Sequence, residues 1–244
     1  MRYFKLVVEY DGTAYNGFQI QPGVPTIQGE LEKKLSTVLQ HPVRVTSGSR
    51  TDVGVHAKGQ VIVLGTDNPI DSQRLARALN NALPIDIAVS DSIEVPANFH
   101  PRYDARSKSY CYSILNCRKP DPFRARLNWH FRYPLDIEAM SEAARYLIGY
   151  HDFSAFEAAG SSIRNKCRTL SRLDCVRTGD QIEIHAQADG FLYRMVRNLV
   201  GTLVEVGRGK WEPGCTAQIL ASRQRELAGP TAPPEGLSLV RIDY

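Results

Sequence analysis

Hydrophobic and polar residues alternate at the start of the chain, in RYFKLVVEY, and this pattern predicts a β-strand. A helix is expected next, because the apolar residues of TIQGELEKKLSTVLQ recur every four positions and Thr26 can cap the first turn. Similar patterns predict strands in VRVTS, QVIVLG and IDIAVSDSIEV, and a helix in DSQRLARALNNAL with Asp71 as its N-cap. The first hundred residues therefore follow the order β-α-β-β-α-β.

The rest of the chain repeats this order. Strands are predicted in SKSYCYSILN, in the hairpin of CRTLSRLDCVRT and QIEIHAQA, and in LSLVRIDY. Helices are predicted in DIEAMSEAARYLIG, with Asp136 as its N-cap, in FLYRMVRNLVGTLVEVG, and in the short extra segment TAQILASRQ. The repeated order is the ferredoxin-like one. We therefore expect an α/β (α+β) fold of two ferredoxin-like halves with antiparallel sheets, residues 1–105 and 106–244, and a ligand cleft between the halves.

Composition narrows the class of protein without identifying it. The chain has 244 residues, of which 43% are hydrophobic and 23% charged, so disorder, collagen and coiled coil are excluded for the chain as a whole. No apolar run reaches the roughly 18 residues of a membrane-spanning helix, and the N-terminus lacks the apolar centre of a signal peptide, so we expect a cytoplasmic protein. The 5 cysteines contain no C-x-x-C pair, and the histidines contain no H-E-x-x-H pair, so no metal site is predicted.

The charge is distributed unevenly along the chain. The net charge is +4, but residues 1–105 carry −1 and residues 106–244 carry +5, and 22 of the 30 basic residues are Arg. Arg makes planar, bidentate contacts with phosphate and stacks on flat rings. Residues 102–132 carry a net +6 with interleaved aromatic residues, which is typical of a nucleic-acid-binding surface and equally of a solvated surface.

The loop GSRTDVGVHAKG lies between two predicted strands and contains the strongest candidate for catalysis. Glycines on both sides of Asp52 permit unusual backbone angles, and Arg50 nearby favours the ionised form of the carboxylate. An ionised, oriented carboxylate is a nucleophile or a base. The alternative is an Asp that only makes a turn and a surface ion pair.

A third candidate is the apolar helix FLYRMVRNLVG, which contains Arg194 and Arg197 three positions apart, on one helix face. An Arg on an apolar helix needs a partner or access to water. Asp52 is the partner that we nominate, and the alternative is a side chain that extends to the surface.

These segments resemble the motifs of the tRNA pseudouridine synthase A (TruA) family. GSRTDVGVHAKGQV resembles its catalytic motif, and EYDGTAYNGFQIQP, FH-x-R, RSKSYCYSI, MVRNLVGTLVEVG and EGLSLV resemble other motifs in the family's order. The resemblance covers almost the whole chain. This sequence departs from the pattern at Phe18, where Trp is frequent, and at Ile20, where a polar residue can occur.

The resemblance implies the pseudouridine synthase fold with a central cleft, and isomerisation of uridine to pseudouridine at positions 38, 39 and 40 of the tRNA anticodon stem-loop. It implies that Asp52 is the catalytic residue and that Tyr110 packs on the target base. It further implies that Arg50 helps to occupy the space of the flipped base and that Arg197 pairs with the catalytic carboxylate. The family is homodimeric, uses no cofactor and no metal, and binds tRNA across both subunits.

Two other functions remain open on the residues alone. A non-catalytic RNA-binding protein with tandem ferredoxin-like halves would explain the basic, aromatic stretch, but it would not explain the loop around Asp52. A glycosidase needs two carboxylates about 5–10 Å apart, and the loop offers only one.

Overall fold

The computed structural model describes all 244 residues, and their contacts divide the chain into two compact units. The first unit contains Met1–Arg106 together with Ser238–Tyr244, and the second contains Ser107–Leu237. The sequence predicted a second half that contains all of residues 106–244. The structure instead groups Ser238–Tyr244 with the first unit. None of the helices combines the length and apolar character needed to cross a bilayer.

The first unit is built from six elements and the final strand of the chain. They are β1 Arg2–Tyr10, α1 Ile27–Leu39, β2 Thr46–Ser47, β3 His56–Thr66, α2 Ser72–Ala82, β4 Ile87–Val95 and β10 Leu237–Asp243. β1 lies between β4 and β3 and is antiparallel to both, and β2 pairs antiparallel with β3. The predicted β-α-β-β-α-β order is therefore present, although β2 has only two of the five residues predicted in VRVTS.

Alternation along β1 builds the core of this unit. Phe4, Leu6 and Val8 are fully buried, because successive side chains of a strand point to opposite faces. Both predicted N-caps of this unit are confirmed: the Thr26 hydroxyl accepts from the Gly29 amide, and the Asp71 carboxylate accepts from the amide of Arg74. Each fully buried Leu or Phe contributes about 1.5–3 kcal/mol.

The second unit has strands and helices in the predicted positions, with two additions. Its elements are β5 Ser107–Leu115, β6 Trp129–His130, α3 Ile137–Arg145, β7 Gly149–Asp152, β8 Cys167–Thr178, β9 Gln181–Ala188, α4 Met195–Gly207 and α5 Cys215–Ser222. β5, β9, β8 and β7 are neighbours in that order, each antiparallel to the next. The sequence did not predict β6 or β7.

The expectation of purely antiparallel sheets needs correction, because each unit also contains a parallel pair. In the first unit β10 runs parallel to β3, with Ser238 opposite His56. In the second unit β6 runs parallel to β5, with Ile114 opposite Trp129. The protein is therefore a mixed α/β protein with mixed sheets.

The start of α4 also differs from its prediction. The pattern predicted a helix from residue 191, but α4 begins at Met195 because Arg194 has a φ of +56°. This left-handed conformation is unfavourable for a non-glycine residue and stops the helix from extending further toward the N-terminus. Every residue of α4 is buried.

A close backbone approach fixes α4 against residues 228–232. A Cβ atom added to Gly201 would lie 1.7 Å from the carbonyl oxygen of Pro230, so only glycine allows this contact. Gly214, by contrast, has no heavy atom within 4 Å of the corresponding position.

We therefore expect Gly201→Ala to lower the free energy of unfolding by about 1–3 kcal/mol or more, because backbone atoms must separate to admit the methyl group. Urea denaturation followed by circular dichroism measures the loss. Gly214→Ala is the matched control, with an expected change of less than about 1 kcal/mol. Equal midpoints for the two variants would contradict the role of this contact.

Candidate active site

The candidate catalytic loop, defined as residues 48–55, connects β2 to β3. Its central carboxylate, that of Asp52, is half-buried, and the loop turns there because the amide of Val55 donates to the Asp52 carbonyl at 3.1 Å. Arg50 is exposed. The first unit therefore places Arg50 and Asp52 two positions apart on one short loop.

The backbone that follows β1 lies directly against this loop. The amide of Phe18 donates to the Thr51 carbonyl at 3.0 Å. Gly17 has a φ of +81°, and a Cβ atom there would lie 2.8 Å from the same carbonyl oxygen. At Gly12 a Cβ atom would lie 2.0 Å from the carbonyl oxygen of Val55. Glycine is therefore required at both positions, and the segment EYDGTAYNGF supports the loop from one side.

Buried polar side chains form hydrogen bonds with the loop. The amide side chain of Gln60 is fully buried, and it accepts from the Ser49 amide at 3.2 Å and donates to the Ser49 carbonyl at 2.9 Å. Directly before Asp52, the hydroxyl of Thr51 is hydrogen-bonded to the hydroxyl of Tyr10 at 2.8 Å. These contacts give polar groups of the loop hydrogen-bond partners inside the protein.

His56 closes the end of the loop where β3 begins. Its side chain is buried, and its Nδ1 accepts from the Gly12 amide at 3.0 Å and lies 3.1 Å from Oδ1 of Asp11. His56 therefore ties the turn after β1 to the first residue of β3. The histidine of the RTDVGVHA run has a positioning role in this geometry.

Tyr110 lies in the second unit, on β5. It is buried on the same face as Tyr112, as the alternation of the strand predicted, and its ring meets the edge of Phe191 at 5.1 Å between centroids. The Tyr112 hydroxyl donates to the Pro233 carbonyl at 2.8 Å, and burial raises the pKa of this hydroxyl. Tyr112 is thus a core residue.

Arg197 lies in the first turn of α4, also in the second unit. Its side chain is only 8% exposed, so the alternative that it extends to the surface is wrong. Its Nε donates to the Ala232 carbonyl at 2.7 Å, and its own carbonyl accepts from the Ala232 amide at 3.1 Å. Arg194, by contrast, precedes the first residue of α4 and is exposed, with its guanidinium over the Tyr193 ring. The two arginines therefore do not share a helix face, contrary to the prediction from the sequence.

Sequence reasoning missed the supporting residues Tyr10, His56 and Gln60. Gln60 gave a weak signal, since it is a polar residue at the start of the apolar run QVIVLG. Its partners at positions 10 and 49 are distant in sequence, and only the fold brings them together.

One group of side chains could hold a metal ion. Donor atoms of Cys111, Glu183 and His185 lie within 4.8 Å of one another, because Cys111 on β5 is opposite His185 on β9. A search for C-x-x-C or paired histidines misses such a group, since its members come from two strands.

Comparison with known proteins decides the family. The family model described as tRNA pseudouridine synthase matches residues 6–104 and 143–244. The chain is 47% identical over 242 residues to the tRNA pseudouridine synthase A of Moorella thermoacetica, with 98% of each chain covered. It is 44% identical over 244 residues to that of Brevibacillus brevis, with 100% of each chain covered. The chain belongs to the tRNA pseudouridine synthase A family.

The protein is therefore an isomerase that makes pseudouridine from uridine in tRNA. A solved complex of Cbf5, Nop10 and Gar1 is a distant structural match, with a TM-score of 0.40 and 12% identity over 97% of this chain and 48% of that chain. The family motifs EYDGTAYNGF and RTDVGVHA are the two segments that contact each other in the first unit of this synthase.

We expect Gln60→Met to lower the free energy of unfolding of the synthase by about 1–3 kcal/mol, because the Ser49 backbone loses its two hydrogen bonds with the Gln60 side chain while the side-chain volume is nearly kept. Urea denaturation measures this change. Gln73→Met, at an exposed position of α2, is the control and should leave the midpoint unchanged. A midpoint for Gln60→Met equal to that of the control would show that the loop does not need this amide.

Proposed function

We propose that this synthase isomerises uridine to pseudouridine at positions 38, 39 and 40 of the tRNA anticodon stem-loop, as a cytoplasmic homodimer without a cofactor. Full-length similarity to relatives named tRNA pseudouridine synthase A supports the proposal. The observation that carries it is the half-buried Asp52 in a loop whose backbone is held from both sides.

We also propose that the chain has the pseudouridine synthase fold, built from two ferredoxin-like halves. In a ferredoxin-like half the four strands lie in the order 4-1-3-2 and are antiparallel. The order β4-β1-β3-β2 in the first unit agrees with this, and so do the neighbours β5, β9 and β8 in the second.

The chemistry of the proposed reaction needs few groups. The N1–C1′ bond of the uridine breaks, a C5–C1′ bond forms, and the proton on C5 is lost while N1 gains one, so substrate and product contain the same atoms. The target base must leave its stack, at a cost of a few kcal/mol. Stacking on an aromatic ring returns about 1–3 kcal/mol.

Each proposed site residue has one role in this scheme. Asp52 supplies the carboxylate that acts on the flipped uridine as nucleophile or base. Tyr110 packs on the base, and the exposed Arg50 helps to occupy the space that the base leaves in the stem. Arg197, whose guanidinium is fixed by the Ala232 carbonyl, pairs with the carboxylate and points it at the sugar.

The decisive experiment incubates the protein with an unmodified tRNA transcript and maps pseudouridine at single-nucleotide resolution. Pseudouridine at positions 38, 39 or 40 is the expected product. Product confined to sites outside the anticodon arm would contradict the proposed substrate. Binding of tRNA without any pseudouridine would favour the non-catalytic RNA-binding alternative.

We expect Asp52→Asn to abolish turnover in a tritium-release assay while tRNA affinity stays within a few-fold, because the amide keeps the shape but neither attacks nor takes a proton. Asp91→Asn, at an exposed position of β4, is the matched control with unchanged turnover. Turnover by Asp52→Asn at the wild-type rate would end the assignment of this residue as catalytic.

Tyr110→Phe tests the hydroxyl separately from the ring. We expect a lower kcat with KM within a few-fold of wild type, because stacking is kept while the hydroxyl is lost from proton transfer at C5. Steady-state kinetics on the tRNA transcript measure both parameters. An unchanged kcat would show that the ring alone is needed.

A further inference from the structure

A cavity of about 790 Å³ lies in the second unit. It is found beside the C-terminal ends of β5 and β8, and its lining includes Asn116, Arg118, Arg132, Tyr133 and Arg177. None of Asp52, Tyr110, Arg50 and Arg197 lines it.

The charge of this cavity is one-sided. Three arginines line it, no acidic residue does, and none of the three guanidinium groups forms an ion pair with a carboxylate. Elsewhere in this unit Arg208 and Lys210 pair with Glu205, and Lys166 pairs with Glu157. Several cations around one cavity without a counter-charge repel one another, so the cavity is suited to an anion.

Two of the arginines are held in place before any ligand arrives. Nη2 of Arg177 donates to Oδ1 of Asn116 at 2.8 Å and to the Leu135 carbonyl at 3.1 Å. The guanidinium of Arg132 lies 4.6 Å from the centroid of the Tyr133 ring. Side chains that are already ordered lose less conformational entropy when a ligand binds.

The adjoining segment favours RNA over a small anion. Residues 118–127 contain Lys119, Arg124 and Arg126, and the ring of Phe123 among them is 97% exposed. An exposed ring beside cations is suited to a stacked base next to its phosphates. The volume of the cavity also exceeds that of a single phosphate ion several-fold.

We propose that Arg118, Arg132 and Arg177 bind phosphate groups of the RNA backbone, and that this arginine cavity is a second tRNA contact outside the catalytic centre. The proposal rests on tRNA being the substrate. Guanidinium groups form paired hydrogen bonds with phosphate oxygens, and each neutralised phosphate releases bound counterions. The cavity therefore contributes to affinity and leaves the chemical step unchanged.

The test compares wild type with the double variant Arg118→Ala/Arg132→Ala, which spares the structural hydrogen bonds of Arg177. Filter binding of a tRNA transcript at several salt concentrations gives Kd and its salt dependence. We expect Kd to rise about tenfold, and the slope of log Kd against log salt to fall by about 2, one unit for each lost contact. kcat at saturating tRNA should stay within twofold while KM rises.

Arg77→Ala is the matched control, because Arg77 is an exposed arginine of α2 in the other unit, and its Kd should change less than twofold. Arg177→Lys serves as a second variant, because it keeps the positive charge but loses the paired N–H donors of the guanidinium. We expect weaker tRNA binding with only a small change in the slope of log Kd against log salt. Thermal unfolding of each variant checks that the fold is kept.

Several outcomes would overturn the proposal. An unchanged Kd and slope in the double variant would show that the cavity does not contact RNA. A fall in kcat with unchanged KM would place these residues in the chemistry instead. Equal competition by free inorganic phosphate at low concentration would indicate a small-anion site. Wild type that binds tRNA with the expected salt dependence but makes no pseudouridine would reject the proposed reaction and leave the cavity proposal standing.

Discussion

The geometry of the candidate catalytic loop depends on backbone-to-backbone contacts that only glycine permits. Gly12 and Gly17 lie so close to the carbonyls of Val55 and Thr51 that any side chain would separate the two segments. A single carboxylate on a flexible loop would sample many orientations. Here the main chain on either side of Asp52 is packed against another piece of main chain, which restricts the loop without covering its outer surface.

The second unit uses the same principle around α4, where polar side chains reinforce the close approach of Gly201 to Pro230. Asn198 is fully buried, and its Oδ1 accepts from Arg225 at 3.0 Å and from the Thr231 hydroxyl at 2.6 Å. Together with the hydrogen bonds of Arg197 to Ala232, these contacts fix residues 225–232 against the start of the helix. The buried Arg197 is therefore one member of a connected polar network, which orients it.

Local patterns predicted much of this molecule. The alternation of β1, the four-residue spacing of α1 and the caps Thr26, Asp71 and Asp136 were all confirmed, because each depends on neighbours within one turn or one strand. The start of α4 was predicted wrongly, since the left-handed backbone of Arg194 leaves no mark in the hydrophobic pattern.

Long-range features lay beyond such patterns. In the sequence Gln60 is an ordinary polar residue, and its role is visible only from its hydrogen bonds to Ser49 and Tyr10 in the fold. Arg118 and Arg177 line one cavity although 59 positions separate them. For the proposed site, the loop residues and the resemblance predict Asp52 and Arg50, which remain predictions, whereas the groups that support the loop became visible only through contacts between distant segments.

The short strand β2 limits how the loop can change its length. Thr46 and Ser47 are paired with Val63 and Ile62, the Gly48 amide donates to the Val61 carbonyl, and β3 itself begins at His56. Both ends of the loop are thus attached to one strand. An inserted residue would have to bulge out or shift β2 by one position, which would turn its side chains to the opposite face of the sheet. Natural variation in length should accordingly concentrate elsewhere, with this loop conserved as a fixed-length unit.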